Sequence, residues 1–257
     1  RMQNLLIGLA IFFVFVLVSL AAARAGKVYL FATSITFILI SNITVQMSVE
    51  LLPGVVISWA VIIYSLVYLV TDFVIEFYGR SEAYRLAVVN LVVQYVLWLY
   101  VWLSLMVHPA PLGDSDAVYT TMKSLFGTTT QISVAATIAA VGPFADILIT
   151  DRFREYLKTR RLFRHEILNI VARAKLSTLI GEFINTVLFF SIALMGTGLD
   201  AGSLASIILS ATAVKWAIAA LDAPFLYMFF RYLGTPPDVC AGAVSLSPEN
   251  DRHRHGV

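Results

Sequence analysis

The chain has 257 residues, of which 59% are hydrophobic and only 13% charged, and its mean hydropathy is +0.84. A soluble domain carries roughly 25% charged residues, so this balance excludes one and points to a polytopic membrane protein with an all-α fold. The net charge of +2 decides little, because orientation follows how Lys and Arg are shared between loops; the single cysteine, Cys240, excludes an internal disulfide and a multi-cysteine metal site.

A spanning helix takes about 20 apolar residues. Seven stretches qualify, near 4–23, 28–49, 55–77, 84–107, 131–150, 174–195 and 204–230. A signal peptide is the competing reading of the first, since "AAARAG" follows its oily core, but that core is long and almost no charge precedes it.

Loop charges test the count independently. Arg24 and Lys27 follow span one, "SVELLPG" after span two has no basic residue, and Arg80 and Arg85 follow span three. The loop "HPAPLGDSDAVYTTMKSLFGTTT" holds only Lys123, whereas "DRFREYLKTRRLFRHEILNIVARAK" carries eight basic residues. "GTGLDAG" then has none, and the tail has Arg231, Arg252 and Arg254. Basic residues gather in cytoplasmic loops, so the alternation predicts an external N-terminus and a cytoplasmic C-terminus. The expected organisation is an extra N-terminal transmembrane helix over 1–27, a six-helix transporter unit over 28–233 and a flexible cytoplasmic tail over 234–257, which bears Pro and Ser and little oil.

Two connectors have shape of their own. Residues 116–126 read as a short interfacial helix with Val118, Met122, Leu125 and Phe126 on one side, an ordinary packed connector more readily than a gate. Residues 151–164 read as a helix continuing span five into the cytoplasm. The positive-inside pattern already explains its arginines, so no nucleic-acid partner is expected.

Function is sought in polar residues inside the spans, because a charge near the middle of a spanning helix costs about 2.5–3.5 kcal/mol on insertion scales and needs a partner or a use. Asp72, Glu76, Asp146, Glu182, Lys215 and Asp222 qualify. Residues three, four or seven apart share a helix face, which puts Thr178, Gly181, Glu182, Asn185 and Phe189 on one stripe of span six. Lys215, Ile218 and Asp222 share one in span seven, with Pro224 just beyond to bend or loosen that helix. Asn42 and Gln46 lie one turn apart in span two. Each has a plainer reading: Asn42 and Gln46 as hydrogen-bonded glue between helices, Glu76 as an interfacial ion pair with Arg80, and Asp146 as a helix-end partner of Arg152 or Arg154. Lys215 and Asp222, two turns apart, pair more easily with other helices than with each other. Glu182 is the hardest to explain structurally, being deep and next to Gly181, which leaves room.

The segments "SNITVQ" (41–46), "TDFVIEFYG" (71–79), "PFADILITDRFRE" (143–155), "RAKLSTLIGEFINTVLFFSIA" (173–193) and "KWAIAALDAPFLY" (215–227) together resemble the queuosine precursor transporter family, a vitamin-uptake-like group, over spans two to seven in the same order. The matching positions are Ser41, Asn42, Gln46, Thr71, Asp72, Glu76, Tyr78, Gly79, Asp146, Arg173, Ser177, Gly181, Lys215, Pro224 and Tyr227. The chain departs from the family at one point: Asn185 stands where an Asp is common and Glu182 where a neutral polar residue is, as if the acid had moved one turn along the same face. The resemblance implies a bacterial inner-membrane importer of 7-cyano-7-deazaguanine or 7-aminomethyl-7-deazaguanine with no ATPase of its own.

A deazaguanine also suits the residues. Its N1–H and 2-amino group are adjacent donors that one carboxylate can accept in bidentate fashion. Its carbonyl needs a donor, which Asn185, Asn42, Gln46 or Lys215 can supply, and its flat ring can stack on an aromatic side chain, with Trp216, Tyr227, Phe189 and Tyr78 as candidates. The expected substrate-binding set is Glu182, Asn185, Asp72, Asn42, Gln46, Lys215, Asp146, Asp222, Thr178, Trp216, Tyr227 and Phe189, with no catalytic residue, no metal ligand and no cofactor. Asp72, Asp146 or Glu182 can carry protons for coupled import, and facilitated diffusion needs none. A membrane-embedded substrate-binding subunit that depends on a separate energising complex is the alternative function; the small residues Ala135, Ala136, Ala139 and Ala140 can serve such a partner or a homodimer. No protease motif appears and the four histidines lie outside the spans, which disfavours an intramembrane enzyme.

Overall fold

A computed structural model describes residues 2–45, 47–52, 55–107, 114–126, 135, 138–159, 166–194, 198 and 200–232. In chain order these form α1 (Met2–Ala25), α2 (Lys27–Thr44), a hairpin of β1 (Ser48–Leu52) and β2 (Val55–Ser58), α3 (Ala60–Tyr78), α4 (Arg80–Ser104), α5 (Ser115–Phe126), α6 (Val141–Thr159), α7 (Glu166–Ala193) and α8 (Ala201–Tyr232). Six of the described helices are long and apolar enough to cross a membrane: Gln3–Ala25, Lys27–Thr44, Ala60–Tyr78, Arg80–Ser104, Ala174–Ala193 and Ala201–Phe229. The chain is an all-α polytopic bundle, as composition indicated. Of the expected fifth span, the described apolar helix covers Val141–Thr150, and most of 131–137 lies outside the described residues.

The expected second and third spans are each too long. Helix α2 ends at Thr44, and the antiparallel hairpin, with Ser48 opposite Ser58, occupies most of the distance to α3. Ladder bonds pair the facing backbone groups of the two strands, and further bonds close the hairpin's base, Trp59 N–H to the Met47 carbonyl at 2.7 Å and Ser58 Oγ to the Val45 carbonyl at 2.7 Å. It packs against α1 and α8, with Asn4 Nδ2 donating to the Glu50 carbonyl at 3.1 Å. The short helix expected at 116–126 is α5, and of the continuation of span five expected over 151–164 the second half of α6 supplies the part up to Thr159; residues 160–165 lie outside the described set.

Helix α3 is the axis of the bundle. Its apolar window is 89% buried, against 28% for those of α1, α4 and α8, as expected of a helix that is hydrophobic all round. It contacts α1, α2, α4, α7 and α8. At its end Gly79 adopts φ 84° and ψ 173°, a region essentially restricted to glycine, and turns the chain directly into α4. Helix α8 continues through Pro224 without a break in its assignment. At its start Asp200 accepts from Gly202 N–H at 3.0 Å and Ser203 N–H at 3.1 Å, and the Ser203 hydroxyl, with the backbone donors, holds this carboxyl below its ordinary range.

The closest crossing is between α6 and α7. A Cβ at Gly142 would stand 2.5 Å from Asn185 Cβ and 2.6 Å from the Gly181 carbonyl oxygen, and one at Gly181 would stand 2.7 Å from Asp146 Cβ. Gly181 therefore makes room for the backbone of α6, not for a ligand. Ala135 and Ala139 are buried within the chain, so those members of the small-residue stripe serve internal packing instead of a partner or self-dimer. Gly142→Ala is expected to cost about 1–3 kcal/mol, the usual penalty of overpacking, seen as a lower unfolding temperature of the detergent-solubilised chain. An unchanged temperature would mean that α6 and α7 do not approach this closely.

Candidate substrate cleft and buried charge column

Helical periodicity aligns Tyr64, Tyr68 and Asp72 along α3, and Lys175, Thr178, Glu182 and Asn185 along the antiparallel face of α7. With Lys215 and Asp222 of α8 and Asp146 of α6 they build three successive layers. From Asn185 to Lys175 is ten residues, a column of about 15 Å at 1.5 Å per residue.

The first layer is polar and neutral apart from one ammonium. Lys215 Nζ donates to Asn185 Oδ1 at 3.0 Å and stands 5.1 Å from the Tyr64 ring centroid, while Asn185 Nδ2 donates to the Tyr64 hydroxyl at 3.2 Å and the Ala139 carbonyl at 3.0 Å. The middle layer holds Tyr68, Glu182 and Asp146. All three are buried, and the Tyr68 hydroxyl and both oxygens of each carboxylate make no hydrogen bond among the described residues. The third layer is an ion triad: Lys175 Nζ lies 3.0 Å from Asp72 Oδ2 and 2.6 Å from Asp222 Oδ1, with Thr178 Oγ1 donating to Asp72 Oδ1 at 3.4 Å. One ammonium thus joins acids from α3 and α8 at the face of α7.

A cleft of about 580 Å³, its open mouth included, lies against the first layer. Asn42, Tyr64, Gln94, Asn185 and Lys215 supply its polar wall and Phe189 and Phe190 its aromatic one. Gln94 Nε2 donates to Asn42 Oδ1 at 3.2 Å, and Asn42 Nδ2 to the Ile38 carbonyl at 2.8 Å. A second cleft of about 450 Å³, between α2, α3, α4 and α6, reaches Thr71 and Asn90 and shares Tyr64 and Gln94 with the first. Those two side chains form the partition between the spaces.

The predicted set therefore divides. Asn42, Asn185, Phe189 and Lys215 line the cleft, whereas Asp72, Asp146, Thr178, Glu182 and Asp222 form the column behind it. Two expected stacking partners point elsewhere: Trp216 is 43% exposed with its indole N–H donating to the Leu179 carbonyl at 3.0 Å, and the Tyr227 hydroxyl accepts from Arg231 Nη1 at 2.9 Å. Tyr78 is absent from the lining of either cleft. Gln46 lies outside the described residues. Asp146 is not at a helix end facing Arg152 but fully buried at the Gly181 crossing. Lys215 and Asp222 do pair with another helix, α7 in both cases. Sequence reasoning missed Tyr64, Tyr68, Gln94 and, above all, Lys175. Asn90 and Gln94, one turn apart in the fourth span, carried the same polar-in-span signal that singled out Asn42.

Residues 58–229 match the family described as "putative vitamin uptake transporter". The match takes in β2's last residue and nearly all of α3 to α8, more than half of the chain, and the chain belongs to that family: a multi-pass membrane protein with a small-molecule transport role. No curated protein and no solved structure matches it.

Removing one partner of a buried ion pair strands the other charge, at about 3–5 kcal/mol. Lys175→Met is thus expected to destabilise the chain by that order, and adding Asp72→Asn and Asp222→Asn to it should restore most of the loss, because the stranded charges go too. Unfolding temperatures of the parent, single and triple variants in detergent measure this; a single variant as stable as the parent would show that Lys175 does not bridge the two acids.

Proposed function

We propose that this protein imports a queuosine precursor, 7-cyano-7-deazaguanine or 7-aminomethyl-7-deazaguanine, across the bacterial inner membrane, as a secondary or facilitated transporter without an ATPase of its own. The observation that carries the reading is the lining of the first cleft: an ammonium, three side-chain amides and a phenol together with two phenyl rings. A flat heterocycle with both donors and acceptors on its edge is the class of ligand such a wall suits.

In this reading Lys215 and the amide N–H groups of Asn42 or Gln94 donate to the base's carbonyl. Asn185 Oδ1, which already accepts from Lys215 at 3.0 Å, accepts one of the ring's N–H donors. Phe189 or Tyr64 stacks on the ring. Glu182 lies one turn behind Asn185 and reaches the adjacent N1–H and 2-amino donors only if the cleft deepens toward the middle layer on binding. The basic-residue pattern supports a cleft that faces the outside, since it adjoins the hairpin and the end of α7 remote from the basic loop.

Labelled deazaguanine supplied to a queuosine-deficient bacterial host that expresses this chain alone is expected to accumulate. Uptake only when an energising complex is co-expressed would favour the binding-subunit alternative, and none under either condition removes the substrate assignment. Lys215→Met should weaken apparent affinity about tenfold or more, the order of one charged hydrogen bond, whereas Trp216→Phe, on the outer surface, should leave uptake unchanged.

A further inference from the structure

Asp146 has no role in the reading above and Glu182 only one that needs the cleft to deepen, yet they are the least satisfied groups described. Each is 0% exposed and neither oxygen of either carboxylate makes a hydrogen bond among the described residues. A serine hydroxyl lies beside each acid and interacts with it electrostatically, but the hydrogen bonds of good geometry go to other groups: Ser177 Oγ, beside Asp146, donates to the Ala174 carbonyl at 2.8 Å and meets Thr150 Oγ1 at 2.6 Å, and Ser65 Oγ, beside Glu182, donates to the Val61 carbonyl at 2.9 Å. A second group points to the same place. The Tyr68 hydroxyl, 2% exposed at residue level and within electrostatic reach of both carboxylates, is also without a hydrogen bond.

The charges around them come from every element packed on α6 and α7. Helix α3 brings Asp72 with Tyr64 and Tyr68, α7 brings Lys175, α8 brings Lys215 and Asp222, and α4 brings Tyr84, which stacks on Phe144 and carries Arg80 over its ring. The column thus holds four carboxyl groups and two ammonium groups among its described side chains. Lys175 is committed to Asp72 and Asp222, and Lys215 to Asn185. The excess is two negative charges, the number of carboxyl groups left over. An uncompensated carboxylate in a dry interior costs far more than any contact here returns. A metal cation would have to sit between two ammonium groups, whereas a proton adds no bulk and turns each carboxylate into a donor for its neighbour or for Tyr68.

We infer that Asp146 and Glu182 form a proton-binding site one layer behind the cleft, whose loading and release couples import to a proton gradient. The coupling half of this inference rests on the transport reading, while proton binding does not. Glu182 is one turn from Asn185, so a substrate that pulls Asn185 or Lys215 toward itself changes the charge that Glu182 feels. Protonation and occupancy of the cleft are then linked through Lys215.

Infrared spectra of the full-length protein in lipid bilayers at neutral pH test the site without any substrate. Exposed carboxyls are ionised there, so the C=O stretch of a protonated carboxylic acid reports buried ones. A band is expected in the unmodified chain, with about half of it lost in each of Asp146→Asn and Glu182→Gln and nearly all in the double variant. No band in the unmodified chain, which needs no variant to fold, overturns the proposal, as does a band undiminished in both variants. In proteoliposomes an inward-directed proton gradient should speed deazaguanine uptake by the unmodified chain. Both single variants should lose that acceleration, and Asp146→Asn, which touches no base, should still exchange base across the membrane. Uptake that ignores the gradient overturns the coupling. The expected band in a chain that takes up no deazaguanine would keep the proton site and remove the substrate assignment instead.

Discussion

One ammonium holds the interior of this bundle together. Charges buried among apolar helices are tolerable only when something answers them, and Lys175 answers two at once, lying 3.0 Å from Asp72 and 2.6 Å from Asp222. Because the acids belong to α3 and α8 and the lysine to α7, the triad fixes the rotation and height of three helices relative to one another. The layers above it inherit that register. Tyr64 stands two turns above Asp72 on α3 and meets Asn185, which stands nearly three turns from Lys175 on α7. Were the triad displaced by one turn, Asn185 would lose both Tyr64 and Lys215, and the polar wall of the cleft would come apart.

The second constraint is steric. Helix α6 brings Asp146 into the column only because Gly142 and Gly181 let the two backbones meet with no side chain between them. Close approach of this kind is how helices associate where burial of oil gives little preference for one partner over another. Here it has a chemical consequence as well. It places a carboxyl group where water has no room, and Asn185, held by the Ala139 carbonyl at 3.0 Å, is fixed by the same crossing. Packing and site chemistry are set by the same pair of glycines.

How much of this was legible follows from which signals survive in a single chain. The cost of charge in hydrocarbon singled out six residues, of which Asp72, Asp146, Glu182, Lys215 and Asp222 are buried in one column while Glu76, near the end of α3, is only half-buried. Lys175 escaped because it closes a run of eight basic residues that loop topology explains in full, and the expected sixth span, 174–195, takes it in only at its very edge; α7 starts at Glu166, which sets it more than two turns inside the helix. Trp216 and Tyr227 were chosen as aromatics near charged positions, yet residues adjacent in sequence point about 100° apart on a helix, so a neighbour of the inward Lys215 had reason to face out. The hairpin is hidden within its own oil: "SVELLPGVVIS" alternates weakly about a Pro-Gly pair, and the expected second and third spans, 28–49 and 55–77, take up part of its apolar residues.

The two lysines divide the column unequally, and this division bears on how such a bundle can work. At the far end Lys175 has two carboxylates, so its ammonium is fully engaged and the layer keeps one negative charge in excess. At the cleft end Lys215 has only a neutral amide and the face of Tyr64, although Glu182 lies close enough to feel its charge. Lys215 can therefore turn toward a ligand in the cleft or toward Glu182, and gaining one partner weakens the other. A group with two competing anchors on opposite sides is a bistable element, and bistability is what lets a small change at one site be felt at another. Lys175, already saturated, cannot take that role. The far layer serves as the fixed end against which the layer at the cleft can move.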